Sequence, residues 1–118
     1  MKKPFLIALL LLVGLSACRS LTSVTYIKRG ESFVLGDNPH GQYSIVARNQ
    51  DAAPVEVFRA GADGARVSLG TLTTGKSKQL DVPANTTVIL KNLGDEQAAV
   101  AIKITGDTGL GMGYKPNP

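Results

Sequence analysis

The feature that most constrains this chain is an alternation of period two. In the run 98–105, Val100, Ile102 and Ile104 share one side, with Ala99, Ala101 and Lys103 on the other. Tyr43, Ile45 and Ala47 alternate in the same way, as do Ala65, Val67 and Leu69 against Arg66 and Ser68. Successive side chains of a strand point to opposite faces, so such runs fit half-buried strands rather than helices. Turn formers separate them: Gly30-Glu31, Gly36-Asp37-Asn38-Pro39-His40-Gly41, Asp51-Ala52-Ala53-Pro54, Gly61-Ala62-Asp63-Gly64 and Pro83-Ala84-Asn85. The tight Gly61–Gly64 connection predicts a hairpin between 55–60 and 65–69.

The runs 24–29, 33–35, 43–48, 55–60, 65–69, 76–82, 86–92 and 98–105 make about eight short strands at intervals of roughly ten residues. This spacing predicts an all-β fold: a single antiparallel β-sandwich, immunoglobulin-like, over 24–118. A parallel sheet would need crossover helices, and no helical pattern follows residue 24. The expected core is aliphatic, joined by Phe33, Phe58 and Tyr43.

Residues 1–18 read differently. Lys2 and Lys3 precede an apolar run, 5–15, that ends in Leu15-Ser16-Ala17-Cys18. A membrane-spanning helix needs ~20 apolar residues, so this run is too short to cross and stay. The segment reads as a signal helix over 1–17, and Leu15-Ser16-Ala17-Cys18 resembles the lipobox of bacterial lipoproteins. The resemblance implies that Cys18 carries lipid and becomes the first mature residue. It also implies a cell-envelope location, with Arg19 in place of aspartate pointing to the outer membrane, facing the periplasm. One acyl chain anchors marginally and two or more anchor stably. With 18–23 as lipidated cysteine and tether, the domain lies within roughly 20 Å of the lipid.

Several function classes lose their chemistry. The formal charge of +4 falls to +2 once Lys2 and Lys3 leave with the signal, which is no footprint for nucleic acid. Cys18 is the one cysteine and His40 the one histidine, so no metal site and no disulfide is expected. Gly70-Thr71-Leu72-Thr73-Thr74-Gly75-Lys76-Ser77 fits the phosphate-loop pattern. No helix can follow it, because 76–82 alternates like a strand and stops at Pro83. The motif therefore reads as a turn, with no nucleotide and no cofactor. Gly109-Leu110-Gly111-Met112-Gly113 lacks the dinucleotide spacing and runs into Lys115-Pro116-Asn117-Pro118. The acidic residues fall mostly in turns, so no carboxylate pair is set up for catalysis.

A non-enzymatic interaction module, docking an envelope protein near the membrane, is the leading expectation. Its candidate contacts are Leu110, Met112 and Tyr114, which share one side of an extended tail whose removal (106–118) should leave the fold intact. The alternative is a periplasmic small-ligand or glycan binder using Asp37, Asn38 and His40, with His40 read as a solvated loop residue. The aromatic inventory for sugar stacking is thin, with no tryptophan. Arg48, Arg66 and Lys103 point away from the apolar faces of their strands, towards solvent or anionic headgroups.

Overall fold

The computed structural model describes residues 20–117; the expected signal helix and Cys18 lie outside them. Nine strands form within that span: β1 Ser20–Ile27, β2 Glu31–Leu35, β3 Tyr43–Asn49, β4 Val55–Ala60, β5 Arg66–Leu72, β6 Ser77–Val82, β7 Thr87–Asn92, β8 Ala98–Gly106 and β9 Met112–Pro116. They make two antiparallel sheets, ordered β1-β8-β3-β6 and β5-β4-β7-β2-β9. β1 starts at Ser20, paired with Thr105, so most of the expected tether is strand.

The strand order corrects the immunoglobulin-like expectation. An immunoglobulin sandwich places its first two strands side by side in one sheet. Here β1 and β2 lie in opposite sheets, and every connection except the β4–β5 hairpin crosses between sheets. This is the jelly-roll plan of interlocked Greek keys, with β9 added outside β2. Because the strands alternate in direction, the connections after β2, β4, β6 and β8 gather at one end. Ser20 emerges at that same end, and the remaining connections sit at the other.

The space between the sheets is filled by Ile27, Leu35, Tyr43, Ile45, Leu90 and Ile102, with smaller valines and alanines between them. Among the described residues, the core runs from Leu21 to Leu110. Phe33 and Tyr43 are inside as expected, whereas Phe58 sits half-buried outside the core cluster. Val67 keeps its expected inward phase, opposite Arg59 in the row that contains core Val88, yet it is exposed because β5 is the edge strand. The β4–β5 register shifts between Glu56 and Phe58, and Gly70 takes a φ of 111°. A bulge of this kind inserts an unpaired residue and resets the alternation on an edge strand. The phosphate-loop match proves to be strand, turn, strand. Lys76 N–H donates to Thr73 O at 2.9 Å, Gly75 adopts φ 78°, and β6 begins at Ser77.

The tail is part of the sheet. β9 pairs with β2 from Met112↔Leu35 to Glu31↔Pro116, Leu110 is buried in the core, and Asn117 N–H donates to Gly30 O at 2.8 Å. Removing 106–118 would therefore uncover the β2 edge and open the core, so the expectation of an intact fold does not hold.

Two buried asparagines close the crossings at the end far from Ser20. Asn49 ends β3; its amide donates to Ala53 O and Leu72 O, both at 2.8 Å, and its oxygen accepts from Asp51 N–H at 2.9 Å. Asn92 ends β7 and repeats the set, donating to Glu96 O at 2.7 Å and Ile27 O at 2.9 Å and accepting from Gly94 N–H at 2.8 Å. Each unsatisfied buried polar group costs about 1–3 kcal/mol, so Asn92→Ala is expected to destabilise the domain by about 2–4 kcal/mol in urea denaturation. Leu93→Ala, at an exposed neighbour, should stay within about 1 kcal/mol of wild type.

The Tyr43 hydroxyl is the one buried side-chain polar atom among the described residues without a hydrogen-bond partner. Burial raises its phenol above the ordinary value of 10.0. Above that pH the unfolded chain ionises this phenol while the fold keeps it protonated, so stability falls as pH rises past 10.0. Tyr43→Phe removes an orphaned polar group. The variant is expected to equal or exceed wild type at neutral pH and to lose less stability in alkaline urea titrations. A steeper alkaline loss in the variant would contradict this account.

Candidate functional site

At the end where Ser20 emerges, the outer face of the five-stranded sheet carries an open hollow of about 660 Å³. Its floor is Val34, Ala60 and Ile89, brought side by side by the β2–β7 and β4–β7 registers. One wall is the Gly61–Gly64 turn with Arg66, the other is Asp37 with Lys115, and Asn38, Asn85 and Thr87 complete the rim. A smaller hollow of about 210 Å³ adjoins it and shares Val34, Asp37 and Lys115. It is bordered by Met112, Gly113 and Tyr114. Gly113 pairs with Val34 and leaves the space above open, with no atom within 4 Å of where a Cβ would stand.

The rim mixes charges. Lys115 Nζ and Asp37 Oδ2 form an ion pair at 3.1 Å with both side chains about 60% exposed. Exposed pairs contribute little to stability, so either partner can turn to a ligand at small cost. The Arg66 guanidinium stands opposite, in the cross-strand row Arg66–Ala60–Thr87.

The three expected loop residues separate in role. Asp37 presents its carboxylate on the rim. Asn38 lines the hollow, but its oxygen accepts from Gly111 N–H at 2.6 Å and its amide donates to Pro39 O and Gly109 O. It fastens the loop to the tail. His40 is not solvated: it is 8% exposed, with Nδ1 2.7 Å from Gly41 O and Nε2 3.0 Å from Thr86 O. Its ring meets Tyr43 edge to face at 5.2 Å. Gly36, at φ 80°, makes room for this ring; a Cβ there would stand 3.0 Å from His40 Nε2. His40 therefore holds the connections together and does not reach the hollow.

The tail residues also divide. Leu110 is buried, whereas Met112 and Tyr114 are about half exposed on the edge strand β9. Tyr114 packs against Phe33 at 5.5 Å and shares a 2.8 Å hydrogen bond with Thr25 of β1, bridging the two sheets at their margin. Sequence reading missed the contribution of Lys115 and Arg66 to one site. The available signal was their place on outward positions of strands that end at the same set of turns.

Among the described residues, no three histidine, cysteine or acidic side chains converge as a metal site, and no helix is long and apolar enough to cross a membrane. No protein-family model and no curated protein matches the chain in sequence. Solved structures match it in fold. Capsular polysaccharide assembling protein CapF from Staphylococcus aureus aligns with 73% of this chain at a TM-score of 0.55 and 17% identity. The chain spans 24% of that protein's length. Vicilin from Solanum melongena aligns with 81% of the chain at 0.56 and 13% identity, over 26% of its own length. A conserved protein with a double-stranded β-helix domain from Klebsiella pneumoniae aligns over 84% of this chain and 75% of its own, at 0.54 and 13% identity. At these identities the likeness is one of fold, and it agrees with the strand order: two antiparallel sheets wound as a double-stranded β-helix.

Proposed function

We propose that this chain is a lipid-anchored envelope module that binds a partner near the membrane and performs no catalysis. Lipid attachment at Cys18 rests on the lipobox resemblance. The observation that carries the binding role is the β9 margin. Met112 and Tyr114 are half exposed on an edge strand beside a hollow, and Gly113 leaves the backbone approachable. Edge strands offer unpaired N–H and C=O groups to an incoming segment, and neighbouring pockets select its side chains.

A second reading follows from the larger hollow: a small polar ligand or glycan held between Arg66 and the Asp37–Lys115 pair. The apolar floor and convergent polar rim support it.

Two measurements test the proposal. Cys18→Ala is expected to abolish incorporation of labelled palmitate and to release the protein from the membrane fraction. Met112→Lys, at an exposed position, is expected to abolish crosslinking to the envelope partner in cells while leaving the thermal midpoint unchanged. Arg66→Ala should leave that crosslink intact. If Arg66→Ala removes the crosslink and Met112→Lys spares it, the hollow and not the β9 margin is the contact.

A further inference from the structure

The outer face of the four-stranded sheet is built unlike an ordinary wet face. Antiparallel sheets with one solvated side alternate apolar and polar residues. The strand β8 instead reads Ala98-Ala99-Val100-Ala101-Ile102, apolar on both sides. Its outward Ala99 and Ala101 lie opposite Tyr26 and Val24 of β1. Val46, on the far side of β8, continues the strip. Tyr26 is 56% exposed, Val24 40% and Val46 39%. Alanines between larger side chains leave this surface flat.

The charges around the strip have one sign. Lys103 and Arg48 project from the same face, opposite Val46 and Ala101 respectively. The face's one carboxylate, Asp81, sits at the β6 edge, where it already accepts from the Ser44 hydroxyl at 2.8 Å. The other sheet's outer face carries both signs, with Glu56 opposite Lys91 and Asp37 bound to Lys115. A second copy docked on the basic face would bring two cations from each copy together against one carboxylate each, Asp81, which lies on the far strand β6. An anionic lipid surface complements it, and each Lys or Arg near such a surface contributes about 1 kcal/mol. Tyrosine is also enriched at membrane interfaces, where its ring sits at headgroup level.

We infer that this face, centred on Val24, Tyr26 and Val46 and flanked by Arg48 and Lys103, rests on an anionic lipid surface. The inference takes its membrane from the envelope reading above. Ser20 stands at the corner of the face, two residues after Cys18, and two extended residues span at most ~7 Å. A lipid on Cys18 would thus hold the edge strand β1 at the bilayer, and the sheet lies down beside it.

The test uses the chain from Arg19 to Pro118, which retains the core cluster of the described residues. It is sedimented with vesicles of equal parts phosphatidylglycerol and phosphatidylcholine, and with phosphatidylcholine alone. Binding is expected only to the mixed vesicles and should weaken with added salt. Arg48→Glu with Lys103→Glu should lower binding at least roughly tenfold, and Val24→Ser with Val46→Ser should lower it severalfold. Arg59→Glu with Lys91→Glu, the same charge change on the other sheet, should have a much smaller effect. Circular dichroism confirms that each variant is folded. Absence of binding to the mixed vesicles overturns the inference, as does an equal loss in the control pair. A dimer in sedimentation velocity that Val46→Lys splits also overturns it, reassigning the face to self-association. Palmitate labelling reads the anchor separately. Labelling without vesicle binding removes the face and keeps the anchor, whereas vesicle binding without labelling keeps the face and removes the anchor.

Discussion

Asn49 and Asn92 make the same three hydrogen bonds at two places where the chain leaves one sheet for the other. In each, the side-chain oxygen caps the N–H two residues on, and the amide ties the carbonyl four residues on to a strand end. The geometry is demanding because a jelly roll crosses between sheets at nearly every connection. Each crossing strands backbone groups at the margin of a dry core, where an unpaired group costs as much as a lost hydrogen bond. A buried asparagine supplies donor and acceptor at once, which neither aspartate nor an apolar residue can do. Asn117 extends the second corner by donating to Asn92 O at 3.2 Å, so the end of the tail depends on it as well.

The opposite end is closed by different means. Gly41 N–H donates to Asp107 Oδ2 at 2.6 Å, His40 N–H donates to Asn85 Oδ1 at 3.0 Å, and Asn38 spans to Gly109 and Gly111. These links join the connections after β2, β6 and β8. The β4–β5 hairpin stands apart from them, since its turn closes on itself through Gly64 N–H to Gly61 O at 2.9 Å. The hollow is the gap left between that free hairpin and the bonded loops. Its walls therefore differ: one is held by long-range hydrogen bonds, and the other is a turn closed by its own local bond.

Strand positions were legible in the sequence because alternation is a local signal. Runs such as 43–48 and 98–105 set Tyr43, Ile45 and Ala47, or Val100, Ile102 and Ile104, on one side, and the observed β3 and β8 follow them closely. Sheet membership was not legible. Period two tells which side of a strand is dry but not which sheet it joins, so a jelly roll and an immunoglobulin sandwich read alike. Val67 has the inward phase and is still exposed, because it lies on the edge strand β5, and period two does not tell how far the core extends along a sheet. His40 looked solvated because Asn-Pro and His-Gly are turn pairs, yet a turn that folds back over a core buries its middle. Asp37 and Asn38 could be read as a loop at one end. Arg66 and Lys115 could not be joined to them, since only the wound topology brings β5, β2 and β9 to one surface.

The two outer faces of the sandwich carry different chemistry, and the fold makes that difference useful. The four-stranded sheet turns a flat apolar strip and unpaired cations outward, while the five-stranded sheet turns outward the hollow, the Asp37–Lys115 pair and the glycine-thinned β9 margin. The sheets lie back to back, so a domain resting on the first face directs the second away from the bilayer. Under the proposed lipid attachment the short link to Ser20 restricts rotation about the anchor, because two residues cannot lift β1 clear of the headgroups. A long linker would let either face meet the membrane. A short one, joined to the corner of the basic face, leaves the hollow and the free edge of β9 open to a partner approaching from the aqueous side.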